Sequence, residues 1–447
     1  MKDLFGFCWI WVALFVFVLG ALGGGEKTAL SAQGGIEQEG WPGGDSEQTS
    51  RWGGAAQELR RPGQRAPGRS SRDTTTFTGI SGGDVALGDV NGDGRPDLVV
   101  TGNTSAVRSR PRTTLYLSRK DGTFDRREAA FPDVMGGAVA VGDIGNDGGM
   151  DVLLAGGRAD GRVASLYRGD GEGGFTQAEG GLTGVAGGSA SMADVNRDGH
   201  LDLLITGRRP AQSDKLEAPP TATLYLGDGA GDFRRASAGL HGVADGSASI
   251  GDVNEDGHPD LLIAGTDTSA APSTTLYFGD GSGGFTVANA GLVGLTQGTT
   301  AIGDLTGDGH ADLLVTGLDD EGRPKTQLYV GNGRGEFEGA EARFPDVVAG
   351  DIALGDVDED GLTDVLMTGE TADGTPTARV YLGGDGTRFA RSKADLSGTS
   401  FSNVAMADLD GNESLDFLIT GEGPSGRPTM RLYVGDGRGG VVQRARE

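Results

Sequence analysis

Nine-residue stretches beginning at Asp89, Asp143, Asp194, Asp252, Asp304, Asp356 and Asp408 carry oxygen-bearing side chains at most of positions 1, 3, 5 and 9, and all but the last have glycine at position 6. Alternate residues of a tightly turned loop aim their oxygens at one centre. A hard cation such as calcium is held in this way, by about six to eight oxygen ligands. Glycine at position 6 lets the chain reverse, because it enters the left-handed region without steric cost. One such stretch alone would read as a polar turn, but seven in register read as cation loops.

The ligand set expected from this pattern keeps four side chains in the first, third, fourth and sixth loops. These are Asp89, Asn91, Asp93 and Asp97; Asp194, Asn196, Asp198 and Asp202; Asp252, Asn254, Asp256 and Asp260; and Asp356, Asp358, Asp360 and Asp364. The second loop offers Asp143, Asp147 and Asp151, with Gly145 at position 3 removing a ligand unless Asn146 or water substitutes. The fifth offers Asp304, Thr306, Asp308 and Asp312, threonine being the weaker donor. The seventh offers Asp408, Asp410, Asn412 and Asp416, but Glu413 replaces the position-6 glycine, so the turn must be strained or reshaped. Up to seven calcium ions are expected, bound more weakly in the second, fifth and seventh loops. Position 7 is Arg95, Gly149, His200, His258, His310, Leu362 and Ser414 in turn, a variety that implies a backbone carbonyl ligand there. It also accounts for three of the four histidines. The fourth, His241, stands where the preceding repeat has Thr183, which argues against a zinc or catalytic cluster.

The loops recur at intervals of 54, 51, 58, 52, 52 and 52 residues, and a fixed period takes precedence over a domain count based on the 447-residue length. Each repeat has four strand-like segments. In the third these are residues 189–194, 202–207, 221–228 and 232–237, with the acidic loop between the first two. Four short antiparallel strands make a blade, and seven blades close into a ring that hides their edges. The expected fold is an all-β, seven-bladed propeller over residues 77–447, its blades in sequence order. All seven tyrosines, Tyr116, Tyr167, Tyr225, Tyr277, Tyr329, Tyr381 and Tyr433, fall on the third strand. Phe124, Phe175, Phe233, Phe285, Phe337, Phe389 and Val441 open the fourth. Stripes this regular read as packing between blades. The C-terminal residues supply the last strand, so no swapped N-terminal strand is needed, although residues 74–77 could add a minor pairing.

Glycine, 84 residues, concentrates in the turns of this repeat. The net charge of −26 disfavours nucleic acid, whose binding needs clusters of Lys and Arg. Loop positions 1, 3, 5 and 9 hold 22 aspartates, and seven divalent ions, carrying +14, would bring the charge to −12. Cys8 is the only cysteine, so calcium takes the place of disulfides as the expected staple. Residues 4–25 are uncharged and strongly apolar, and residues 1–25 are read as a cleaved signal peptide or a retained membrane anchor. Residues 26–76 read as a disordered tether with six arginines between Arg51 and Arg72. The remainder is therefore expected outside the cytoplasm, secreted or tethered to the surface.

Stretches such as GDVNGDGRPDLVVTG at 88–102 and TLYLGDGAGDF at 223–233 resemble the FG-GAP or VCBS repeats of integrin alpha-chain propellers and of bacterial exported proteins. The resemblance covers residues 77–447 and implies calcium in the hairpin between the first and second strands of a blade. The Phe-Gly and Gly-Ala-Pro pairs that name the family are not kept, and integrin ligand chemistry does not follow. The expected role is a noncatalytic extracellular scaffold for a protein or glycan partner. Contact is expected through the face opposite the loops, where Arg108, Arg110, Arg112, Arg208, Arg209 and Lys215 are the surface candidates. The alternatives are a lectin with sugar pockets between blades and a calcium-dependent polysaccharide lyase. All four tryptophans precede the propeller and no catalytic constellation stands out.

Overall fold

The computed structural model describes residues 77–106, 110–210 and 219–443. The apolar leader, the tether, Arg108 and Lys215 lie outside them, as do residues 74–76. Among the described residues no helix is long and apolar enough to cross a membrane.

The second segment of each repeat, DLVVTGN in Asp97–Asn103 and DLLITGR in Asp202–Arg208, is a continuous apolar run rather than an alternating one. Such a run suits a strand covered on both faces. That strand lies inside a four-stranded antiparallel sheet, and seven such sheets follow one another in chain order. In blade one the strands are Ser81–Gly88, Asp97–Asn103, Pro111–Ser118 and Phe124–Arg127. The expected third-blade segments appear as Ala190–Ala193, Asp202–Arg208, Pro220–Gly227 and Phe233–Arg235. Gly88 pairs with Asp97, so the acidic loop between them is a hairpin closed at its base. The expected phenylalanines open the fourth strands except in blade six, where Phe389 precedes Ala390–Arg391.

Each core cluster joins two adjacent blades. Leu98 and Tyr116 of blade one, for example, pack with Leu418, Met430 and Leu432 of blade seven. The same seam closes the ring: the Gly421 N–H donates to the Ile80 carbonyl at 2.9 Å. Equivalent bonds run from Gly265 to Leu295 and from Gly369 to Thr399. A Cβ at Gly265 would come within 2.6 Å of the Ala244 carbonyl oxygen, so glycine is required where the linker crosses the strand.

All seven tyrosines are buried. In five blades the hydroxyl accepts the backbone N–H of the entering linker: Thr78 to Tyr116, Thr183 to Tyr225, His241 to Tyr277, Val293 to Tyr329 and Ser397 to Tyr433. The corresponding linker residues of the other two blades are Pro132 and Pro345, which have no N–H to give. There the preceding Phe131 and Phe344 pack edge-on against Tyr167 and Tyr381 at 5.0 and 5.1 Å. The tyrosine stripe is therefore structural, as its regularity implied.

Candidate functional site

Every acidic loop is wired alike. The position-1 carboxylate accepts the position-6 N–H, as in Gly94 to Asp89 at 2.7 Å and Gly361 to Asp356 at 2.9 Å. The position-9 aspartate is buried and ties two segments together. Oδ2 of Asp97 accepts the Val90 N–H, and Oδ1 accepts the Ser118 N–H at the end of the third strand. Asp364 does the same with Val357 and Gly383, and Asp416 with Leu409 and Gly435. Burial pushes these carboxyls up, to about 7 for Asp97, Asp202, Asp260 and Asp416 and to about 6 for Asp151, Asp312 and Asp364. Nearby loop carboxylates add to the rise. Without a positive charge at the loop centre these groups keep their protons to a higher pH than an ordinary carboxyl, and a divalent cation would oppose that shift.

Position 3 separates the loops. Asn91, Asn196 and Asn254 each accept the position-5 N–H through Oδ1, and Asn196 and Asn254 also donate to the position-5 carboxylate. Blades six and seven have aspartate there. Among the described residues these two loops gather three carboxylates whose ligand oxygens lie within 4.8 Å of one another: Asp356, Asp358 and Asp364, and Asp408, Asp410 and Asp416. Buried Asp358 Oδ1 and Asp252 Oδ1 accept no hydrogen bond within the protein. An all-oxygen donor set with buried, unsatisfied oxygens fits a hard cation.

The seventh loop was expected to be strained or reshaped, and it is strained only. Glu413 adopts φ 73°, beside 81° for Gly94 and 88° for Gly361, and its N–H still reaches Asp408 at 3.0 Å. In the second loop Asn146 does not turn inward to replace the missing ligand. Its amide meets His200 of the next blade at 2.7 Å. In the first loop, the fullest by sequence, the Arg95 guanidinium pairs with the Asp93 carboxylate.

A family model described as FG-GAP-like repeat matches residues 89–154, 146–205, 252–315, 304–367 and 356–419, more than half of the chain. The chain belongs to the FG-GAP-like repeat family. No curated protein sequence matches it. Among solved structures, it is similar to the BP39L lectin from Burkholderia pseudomallei, at 16% identity over 83% of this chain and 100% of that one, with a TM-score of 0.49. It is also similar to a PL25 polysaccharide lyase, an ulvan lyase, at 12% identity over 83% of this chain and 96% of that one, with a TM-score of 0.45.

Within this FG-GAP-like propeller, two sets of residues carry information that the repeat pattern alone did not. The first links neighbouring loops. Position 4 of one loop meets position 7 of the next in Asn146 with His200, Glu255 with His310 at 2.5 Å, and Glu359 with Ser414 at 3.0 Å. Three of the varied position-7 side chains therefore touch the adjacent blade, a pairing that the pattern within one loop does not signal. The second set lies at the other end of the propeller, at or just before the start of each first strand. Gly82, Gly136, Gly187, Asp245, Gln297, Ala349 and Phe401 all have φ between 47° and 64°. Backbone bonds join them around the channel, among them Gly187 to Gly136, Asp245 to Gly187, Gln297 to Asp245, Ala349 to Gln297 and Gly82 to Phe401. Of the expected surface arginines, Arg208 reaches this ring, pairing with Asp245 at 2.8 Å.

Proposed function

We propose that this protein is an exported, calcium-stabilised propeller that acts as a noncatalytic binding scaffold outside the cell. The carrying observation is the sevenfold loop. One buried carboxylate per blade ties the first hairpin to the third strand and sits beside further unneutralised oxygens. Calcium in these loops would offset the repulsion among the carboxylates, so binding and folding would be coupled. A role repeated in every blade belongs to the scaffold, which leaves the opposite end for a partner. The tyrosine hydroxyls, obvious candidates for acid or base work, are committed to the linkers in five blades.

The test is thermal and chemical unfolding with calcium and with chelator, paired with metal counting. Each site at calcium 100 times its Kd contributes about 2.7 kcal/mol, so loss of the two aspartate-rich sites alone should cost about 5 kcal/mol. An unchanged melting point together with no bound calcium would overturn the reading.

A further inference from the structure

Seven equivalent residues surround the channel mouth at the end opposite the acidic loops, and blade seven breaks their pattern. In the other six blades the left-handed residue is followed by glycine: Gly83, Gly137, Gly188, Gly246, Gly298 and Gly350. A Cβ at Gly298 would lie 1.9 Å from the Thr316 carbonyl oxygen, and one at Gly350 2.0 Å from that of Thr368. Blade seven has Ser402 instead and is rebuilt around it. Its link to blade six shifts by one residue, so that the Ser402 N–H donates to the Ala349 carbonyl, and Ser402 Oγ bonds to Thr368 Oγ1 at 2.9 Å. Ser402 is buried, while Phe401 is turned outward, 52% exposed, at φ 47°.

A bulky side chain at positive φ is strained, and such strain persists where the surroundings over-determine it. Here a bond from Gly82 to the Phe401 carbonyl and the two Ser402 bonds hold the backbone of Phe401 in place from both sides. Phe401 is the only exposed phenylalanine, tyrosine or tryptophan among the described residues. Its neighbours in the ring are Gly82 and Ala349, and further round stand Gln297 and Asp245, the latter paired with Arg208. With about 5 Å between the Cα atoms of linked residues, as in hydrogen-bonded strands, a ring of seven is about 12 Å across from Cα to Cα.

We propose that this mouth binds a neutral sugar ring stacked on Phe401, with Gln297 and the Asp245–Arg208 pair engaging its hydroxyls. The proposal rests on the reading of the protein as a binding scaffold. One exposed apolar face set among amide, carboxylate and backbone groups matches a ligand that itself has one apolar face and a hydroxylated rim. A protein partner would call for a broader apolar patch. The net charge of −26 and the nearby Glu422, hydrogen-bonded to Ser81, oppose uronate or sulfated sugars. The cavity on blade three, about 380 Å³ and lined by Ala222, Leu224, Arg235, Ala236 and Ser237, offers no aromatic face.

The experiment is calorimetric titration of the full chain, in calcium buffer, with neutral cello-, malto-, manno- and galacto-oligosaccharides and with polyuronates as the charged comparison. At least one neutral series should bind, Phe401→Ala should weaken it at least tenfold, and Gln297→Ala several-fold, while Phe401→Trp should retain it. Phe401→Gly removes the strained side chain, so it should melt no lower than the parent and still lose binding, which separates recognition from folding. Equal binding by parent and Phe401→Ala would overturn this site while leaving the scaffold reading intact. Binding of polyuronates alone, or of none of these saccharides, would overturn the sugar proposal, and the calcium melt would still judge the scaffold independently.

Discussion

At the acidic-loop end, position 9 is aspartate in all seven blades and accepts the same two backbone N–H groups each time. At the opposite mouth the equivalent residue is Gly82, Gly136, Gly187, Asp245, Gln297, Ala349 or Phe401, and only the backbone conformation is shared. A side chain repeated without exception is doing what every blade needs. A position that keeps its φ but changes its side chain is free to specialise, and Phe401 is the largest such departure. In a propeller the repeat is thus an internal control, and function is sought where one blade breaks the rule.

The strongest challenge to this contrast comes from the loop end. Asp364→Ala leaves the Val357 and Gly383 N–H groups unpaired in a buried site and should cost about 2–5 kcal/mol by denaturant unfolding, with or without calcium. Asp358→Ala removes a carboxylate whose Oδ1 pairs with nothing inside the protein, so most of its cost, about 1–3 kcal/mol, should appear only when calcium is present. Similar losses in chelator for both variants would break the distinction between clamp and ligand.

A second test concerns Asp84 and Asp351, which occupy a position at the start of the first strand, two residues after the left-handed one, held elsewhere by Ala138, Ser189, Ser247, Thr299 and Asn403. Burial pushes Asp84 up to about 7 and Asp351 to about 6, each against backbone N–H bonds that pull it down. Each carboxylate reaches the next blade, Asp84 to the Val139 N–H and Asp351 to that of Val404. Because the folded pKa values exceed the unfolded one, the contribution is complete below about pH 4 and is lost as pH rises toward 7. In saturating calcium, which on the proposed reading would hold the loop carboxylates ionised, stability should fall by a few kcal/mol across that window. The double variant Asp84→Asn, Asp351→Asn should flatten the slope.

At the mouth, Phe401→Gly should raise stability by about 1–2 kcal/mol, because the left-handed conformation penalises a side chain and not glycine. A fall would mean that Phe401 is packing after all and would remove it from the specialised class. The smallest effect uses the tyrosines. Tyr277→Phe leaves the His241 N–H without its acceptor and should cost about 1 kcal/mol. Tyr381→Phe, facing Pro345, should cost roughly half of that or less, since no linker N–H is lost.

Much of this was legible in the chain itself. Position-6 glycines and position-9 aspartates sit within one hairpin, so their spacing reports a local geometry that short-range sterics and hydrogen bonding enforce. The stripe of tyrosines reported blade packing because a closed ring gives every blade the same neighbours. Asn146, Glu255 and Glu359 were not legible in this way, since their partners lie in the next repeat and are met only when the blades dock. The strain at Glu413 could be anticipated from the missing glycine. That the loop would keep its shape could not.

The sequence by itself thus determined the blade count, the strand order and the oxygen-rich loop pattern, because each is encoded within about 50 residues and repeated seven times. Tertiary structure alone decided that Phe401 stands exposed at the channel mouth and that Ser402 shifts the link between blades six and seven. Those outcomes depend on how the ring closes, where Gly82 of the first blade binds Phe401 of the last, and no local pattern encodes a contact between residues more than 300 positions apart.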